Sequence, residues 1–237
     1  MAVYGLDIGG TKIETAIFND NLEQQQSWRI TTPTDDYQQF LHAIYQQVIK
    51  ADELSGCQGA VGIGMPGIVN DEGKVLSANV PCATGKVIAN DLQALLKRPV
   101  AILNDTRCFA LSEANGGAGE GYSRVFGAIV GTGAAGGMCI DGTLFNQGLG
   151  MSGEYGHLPL SAYLQQKYQL PVLKCGCGLN GCVESYIAGP GVQTLYQHIT
   201  QSPKSAIEWA NDIKRGDEQA LKVLACYLDI LGETFAA

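Results

Sequence analysis

Charge is scarce in this chain, and histidine is scarcer. Of 237 residues, 16% are Asp, Glu, Lys or Arg and three are histidine. The few charges sum to −8, which works against non-specific binding to nucleic acid or an anionic membrane and leaves a small-molecule or protein partner as the expectation. A run of 18 or more apolar residues is also missing, so no membrane-spanning helix is expected. The opening "MAVYGLDIGG" has no basic stretch leading into an apolar one, so no secretory leader is read there. A cytoplasmic setting is therefore expected, and thiols stay reduced in that compartment. The eight cysteines are then free thiols or metal ligands rather than disulfides. Cys57, Cys82, Cys108, Cys139 and Cys226 are scattered singly and are expected to be buried as small hydrophobes.

The 46% of hydrophobic residues describe a chain with a real core, and no linker or low-complexity segment interrupts it. "VYGLDI", "IETAIFN" and "QQSWRITTP" read as three strands of an antiparallel meander, joined by "GGTK" and "DN". "DDYQQFLHAIYQQVIKADE" sets Phe40, Leu41, Ile44, Val48 and Ile49 at helical spacing behind a cap at Asp35 or Asp36. "GAVGIGMPG" reads as a buried strand ending in a Pro-Gly loop, "NDLQALLKR" as a short helix, "PVAILND" as a strand and "TRCFALSEANGG" as a helix stopped by glycines. A weak repeat follows. "VYGLDIGGTKIETAIFND" and "VFGAIVGTGAAGGMCIDG" align Val3 with Val125, Gly5 with Gly127 and Gly9 with Gly131 at one constant offset. Two similar halves are expected, 1–117 and 118–237, divided within Asn115 to Ser123, with their glycine turns facing one cleft. Beyond Gly189 three amphipathic stretches read as helices covering a sheet.

Three local patterns carry chemistry. In "DIGGTK" a strand ends in an acid, two glycines and a hydroxyl. Glycine lets backbone amides approach phosphate oxygens, Thr11 adds a donor, and Asp7 is placed to hold magnesium through water. Neither a Walker spacing nor a GxGxxG opening a helix is present. A bare hairpin without ligand explains one such turn; the second copy, "IVGTGAAGG", favours a phosphate clamp. Next, Cys175, Cys177 and Cys182 form C-x-C-x4-C among glycines, a thiolate set suited to Zn²⁺, and His157 in "GEYGH" is the expected fourth ligand. Four protein ligands make a closed, structural site. His42 and His198 read as ordinary helix residues. Last, Asp105 after Asn104 is either a helix N-cap or a general base at a strand tip. Glu154 and Glu184 flank the cysteine loop, and a metal clip there would hold both carboxylates in place.

Taken together, "DIGGTK", "GIGMPG", "NDTRCFALSEA", "IVGTG", "GEYGH" and "CGCGLNGCVESYIAG" resemble the ROK family of sugar kinases, in that family's order from residue 7 to residue 189. The resemblance implies an α/β, actin-like ATPase (ribonuclease H-like) fold of two domains with an interdomain cleft. It implies ATP-dependent phosphorylation of a hexose 6-hydroxyl with Mg²⁺. "SANVPCATGK" and "CFALSEA", with the long run between His157 and Cys175, are most like the family's N-acetylglucosamine kinases, with the mannose/fructose kinases and then the glucokinases behind. By the same resemblance Asp105 matches the catalytic base. Gly67, Asn79, Asn104, Glu154, His157 and Glu184 match the sugar pocket. Asp7, Gly9, Gly10, Thr11 and Lys12, with Gly131, Thr132, Gly133, Ala134, Ala135, Gly136 and Gly137, match the nucleotide loops. Ala135 stands where the family usually has glycine. The family pattern continues past Ala237, so the second domain is expected to be incomplete; read as a whole molecule, the chain would instead suggest a sugar-binding protein. ROK repressors share the pocket but carry a helix-turn-helix before it; with an acidic chain and a first strand that begins at once, a kinase rather than a regulator is expected. Homodimers occur among similar proteins, so a homodimer is implied by analogy.

Overall fold

The computed structural model describes residues 2–146 and 151–236. In chain order the elements are β1 (Val3–Ile8), β2 (Lys12–Phe18), β3 (Gln24–Thr31), α1 (Tyr37–Ser55), β4 (Ala60–Met65), β5 (Ile68–Val69), β6 (Val75–Leu76), α2 (Ile88–Leu96), β7 (Val100–Asn104) and α3 (Asp105–Ala114). There follow β8 (Arg124–Val130), β9 (Ala134–Ile140), β10 (Thr143–Leu144), α4 (Ala162–Tyr168), α5 (Glu184–Ile187), α6 (Gly189–Thr200), α7 (Ala206–Lys214) and α8 (Glu218–Ala236). Two compact units form: Met1–Val125 with Met138–Ser152, and Phe126–Gly137 with Gly153–Ala237.

In the first unit alternation decides which way each strand faces. Tyr4, Leu6 and Ile8 of β1 are buried and pair with Ile17, Thr15 and Ile13 of β2. Val61, Ile63 and Met65 of β4 continue the same apolar face. The five strands run in the order β3-β2-β1-β4-β7, with β1, β4 and β7 parallel and the β1–β2–β3 meander antiparallel as expected. Helix α1 brings Phe40, Ile44, Val48 and Ala51 to that core. Phe40, Ile44 and Val48 each contribute about 1.5–3 kcal/mol on burial, and Ala51 less. Asp36 caps α1 by accepting from Gln39 N at 2.7 Å, and Gly56 ends it in the left-handed region at φ 69°. On the opposite face β1 and β4 carry Gly5, Asp7, Gly62 and Gly64, with Asp7 exposed. A Cβ on Gly64 would lie 3.4 Å from Cys108 Sγ, so the bare backbone lets α3 pack close to the strand.

The second unit is mainly helical. Val192, Leu195 and Tyr196 of α6, Trp209 of α7 and Ala220, Val223, Cys226 and Ile230 of α8 form its core with Tyr186 and Ile187 of α5. Trp209 buries its ring while donating Nε1–H to Ala220 O at 3.0 Å. The repeat read from the sequence is visible as topology. The order β10-β9-β8 is that of β3-β2-β1, each first strand followed by a glycine turn. No helix among the described residues is long and apolar enough to cross a membrane. Of the scattered cysteines, Cys139 and Cys226 are buried as expected and Cys82 and Cys108 are half-buried. Cys57 corrects the expectation: it follows the end of α1, is exposed, and leans on Ser55.

Candidate active site

In the first unit the chain converges on the end of β7. Asn104 is extended and caps α3. Its Oδ1 accepts from Thr106 N at 2.9 Å, Thr106 Oγ1 at 2.6 Å and Arg107 N at 3.2 Å, and its Nδ2 donates to Gly67 O at 2.9 Å. The N-cap reading of Asp105 is thereby corrected, because the cap lies one residue earlier and Asp105 is the first helical residue. Asn104 is buried, and three donors already occupy its oxygen, so an amide hydrogen is what remains for a ligand. Gly67 sits at φ 113°, and a Cβ there would lie 2.3 Å from Leu76 O, which fixes it as glycine where β5 and β6 close together.

Asp105 is half-buried, and its carboxylate accepts from Thr106 N at 2.9 Å. Burial holds its pKa above the ordinary aspartate value. The Thr106 amide works against that, and the charge of Asp7 adds to it. A carboxylate raised toward neutral pH is a better proton acceptor in catalysis than an ordinary surface aspartate.

The first glycine turn abuts the same region, since a Cβ on Gly10 would lie 2.6 Å from Asn79 O. Gly9 N donates to Lys12 O at 2.8 Å, Thr32 Oγ1 donates to Gly9 O at 2.7 Å, and Thr32 N donates to Thr11 O at 3.1 Å. The carbonyls of residues 9, 11 and 12 thus face protein donors. Among the described residues the amides of Gly10 and Thr11 meet no protein acceptor. Thr11 and Lys12 are exposed, and Lys12 reaches Glu14 at 3.5 Å. Thr32 was not legible as part of this turn.

In the second unit the expected metal ligands come together. One donor atom from each of His157, Cys175, Cys177 and Cys182 lies within 4.8 Å of every other, an arrangement able to hold a metal ion. Cys177 Sγ and Cys182 Sγ are 3.7 Å apart, and His157 Nδ1 is 3.7 Å from Cys175 Sγ. Burial pushes the Cys182 thiol up to about 12, whereas the Leu179 amide lowers Cys177. His157 Nε2 lies 3.9 Å from Glu154 Oε2. Glu184 Oε1 lies 3.8 Å from Cys175 Sγ, while its Oε2 accepts from Ala134 N at 2.8 Å. The carboxylate therefore joins the thiol cluster to the second glycine turn, and a Cβ on Gly133 would meet Glu184 Oε2 at 2.7 Å. Gly189 N holds Gly131 O at 2.8 Å, and Thr132 is exposed at the turn's tip. Ala135 is half-buried, and Gly136 and Gly137 are buried within β9. Gly136 N is committed to Gly153 O at 2.8 Å.

Comparison with known proteins adds four findings. The ROK family profile matches residues 3–237. An N-acetylgalactosamine kinase, AgaK, of Shewanella sp. (strain ANA-3) is 49% identical over 234 residues, covering 99% of this chain and 76% of that protein. An N-acetyl-D-glucosamine kinase of Shigella flexneri serotype 5b is 43% identical over 231 residues, covering 96% and 76%. Among solved structures, a ROK hexokinase from Thermus thermophilus superposes with a TM-score of 0.84 at 30% identity, covering all of this chain and 76% of that one.

Proposed function

Because this chain belongs to the ROK family, with the family's actin-like α/β fold, we propose that it is a sugar kinase transferring the γ-phosphoryl group of ATP to the 6-hydroxyl of N-acetylglucosamine. The observation that carries the reading is Asp105, a partly desolvated carboxylate at the head of α3, held there by the Asn104 cap and beside the charge of Asp7. Asp105 accepts the hydroxyl proton as the sugar oxygen attacks the phosphorus in line and the bond to ADP breaks. Asn79, Asn104, Glu154, His157 and Glu184 bind sugar hydroxyls, and Gly67 leaves room beside them. The two glycine turns offer amides to the phosphates, so that most of the acceleration is positioning and charge stabilisation. Asp7 would hold magnesium, which would supply neutralisation of phosphate charge.

The thiol–imidazole cluster fits zinc. A tetrahedron with Zn–S bonds near 2.3 Å has sulfur–sulfur edges of about 3.8 Å, and slightly shorter edges to nitrogen. Of the six donor separations, those of Cys177 from Cys182 and of Cys175 from His157, both 3.7 Å, match these edges, and all six lie within 4.8 Å. Four protein ligands close the shell, so the ion's contribution is structural.

A second sugar is favoured by one observation. The N-acetylgalactosamine kinase shares more of its sequence with this chain than the N-acetylglucosamine kinase does. A coupled assay with both N-acetylhexosamines, glucose, mannose and fructose tests the proposal. Highest kcat/KM is expected with an N-acetylhexosamine. Asp105→Asn should lose about 10²–10⁴-fold in kcat with sugar binding retained. Undiminished turnover in that variant would remove Asp105 from its role. Sugar binding by calorimetry without ATP consumption by the wild type would favour a sugar-binding protein instead.

A further inference from the structure

Thr32 belongs to none of the groups assigned above, yet it makes two of the hydrogen bonds that shape the first glycine turn. We propose that Thr32 is a positioning residue for the nucleotide: its hydroxyl fixes the orientation of the Gly9–Gly10 peptide so that the Gly10 amide faces phosphate. The inference rests on the phosphotransfer reading and deepens it.

A trans peptide is planar, with its C=O and N–H pointing in opposite directions, and the described chain contains no cis bond. Thr32 Oγ1 donates to Gly9 O at 2.7 Å. The Gly10 N–H of the same peptide is therefore turned away from Thr32. Two adjacent glycines have little steric preference, so without that hydroxyl the peptide can rotate and present its carbonyl, a phosphate-repelling group, on the same side. The second bond, Thr32 N to Thr11 O at 3.1 Å, holds the far end of the turn. Asn79 closes the remaining side, since its carbonyl oxygen leaves no space for a side chain on Gly10. The Gly10 and Thr11 amides, which meet no protein acceptor among the described residues, and the hydroxyl of exposed Thr11 are the donors the turn has left, a set of the kind that binds anions.

Thr32 is itself built to be stiff. It is β-branched, which restricts χ1. It precedes Pro33, which confines its backbone to extended conformations. It is 6% exposed, so water does not compete for its hydroxyl. That hydroxyl is aimed at a carbonyl whose peptide partner, the Gly10 amide, meets no protein acceptor among the described residues.

Thr32→Val keeps the shape and removes the hydroxyl, and Thr32→Ser keeps the hydroxyl. KM for ATP and for sugar, with ADP affinity by calorimetry, separates the roles. Thr32→Val should weaken ADP binding and raise KM for ATP about 10-fold, the loss of one net hydrogen bond. The sugar KM should stay within about 2-fold, and Thr32→Ser should restore ADP affinity to within about 3-fold of the wild type. Wild-type ADP affinity in Thr32→Val, or equal loss in the valine and serine variants, would overturn the proposal. A parallel rise in both KM values with a lowered Tm would also overturn it, by assigning Thr32 to the fold alone. If the valine variant does not fold, Thr32→Ala makes the same comparison with serine. A wild type that binds no ADP would sink the phosphotransfer reading and this inference together; binding in the wild type with an unaltered valine variant sinks this one only.

Discussion

On the proposed role of Asp105, one carboxylate trades stability for chemistry. Burial and the charge of Asp7 raise its proton affinity in the folded chain, and the Thr106 amide offsets them in part. Folding thus favours the protonated acid. That contribution is complete below the ordinary aspartate pKa, near about 3.9, and is lost as pH rises through the raised value. Asp105→Asn is therefore expected to melt above the wild type at pH 7–8, with the gap closing as pH falls toward about 4. Thermal melts of both proteins across that range check it, and a gap independent of pH would show that the shift has another origin. The division of labour at this position was only half legible. Asn and Asp are equally good caps, so "ND" named the site without saying which residue caps and which is left to react. The distinction lies in the backbone, where Asn104 is extended at φ −61° and ψ 140°. Thr32 escaped for a related reason: its bond to Gly9 spans 23 positions, and no local pattern encodes it.

At the scale of elements, the long strands and helices could be read directly. The strand-like runs of β1 and β2, the helical spacing of Phe40, Ile44 and Val48, and a cap at Asp35 or Asp36 are all properties of neighbours in sequence. The two-residue strands β5 and β6 and the seven-residue α4 were not anticipated, because so few residues carry no period. Equally silent was the single helical turn Tyr155–His157 that delivers His157 to the thiols. Its middle residue has no freedom, for a Cβ on Gly156 would lie 1.9 Å from Ala134 O. Gly156→Ala should push this turn off β9. The expected cost is about 2 kcal/mol or more, measured by urea denaturation, with metal content reduced because His157 moves with the turn. A variant with unaltered stability would mean that the turn and β9 can separate freely.

At the scale of the molecule, the repeat in the sequence anticipated a repeat in topology, β3-β2-β1 and β10-β9-β8. The thiols were legible because Cys175, Cys177 and Cys182 lie within eight residues, and His157 because the chain holds only three histidines. Glu184's bond to Ala134 was not, because it crosses 50 positions. Elemental analysis should find one zinc per chain. Chelation, or Cys177→Ser, should remove it and lower Tm by about 10 °C, equivalent to roughly 3 kcal/mol for a chain of this length. Retention of one zinc by Cys177→Ser would strike that cysteine from the ligand set.

The two glycine turns share a plan but hang on unlike hooks. A hydroxyl twenty-odd residues downstream holds the first; a carboxylate beside the thiols, together with the opening amide of α6, holds the second. Each turn is therefore fixed by partners the other lacks, and the two are not interchangeable. Grafting "DIGGTK" in place of "IVGTGA" would carry over the loop and leave its fastening behind.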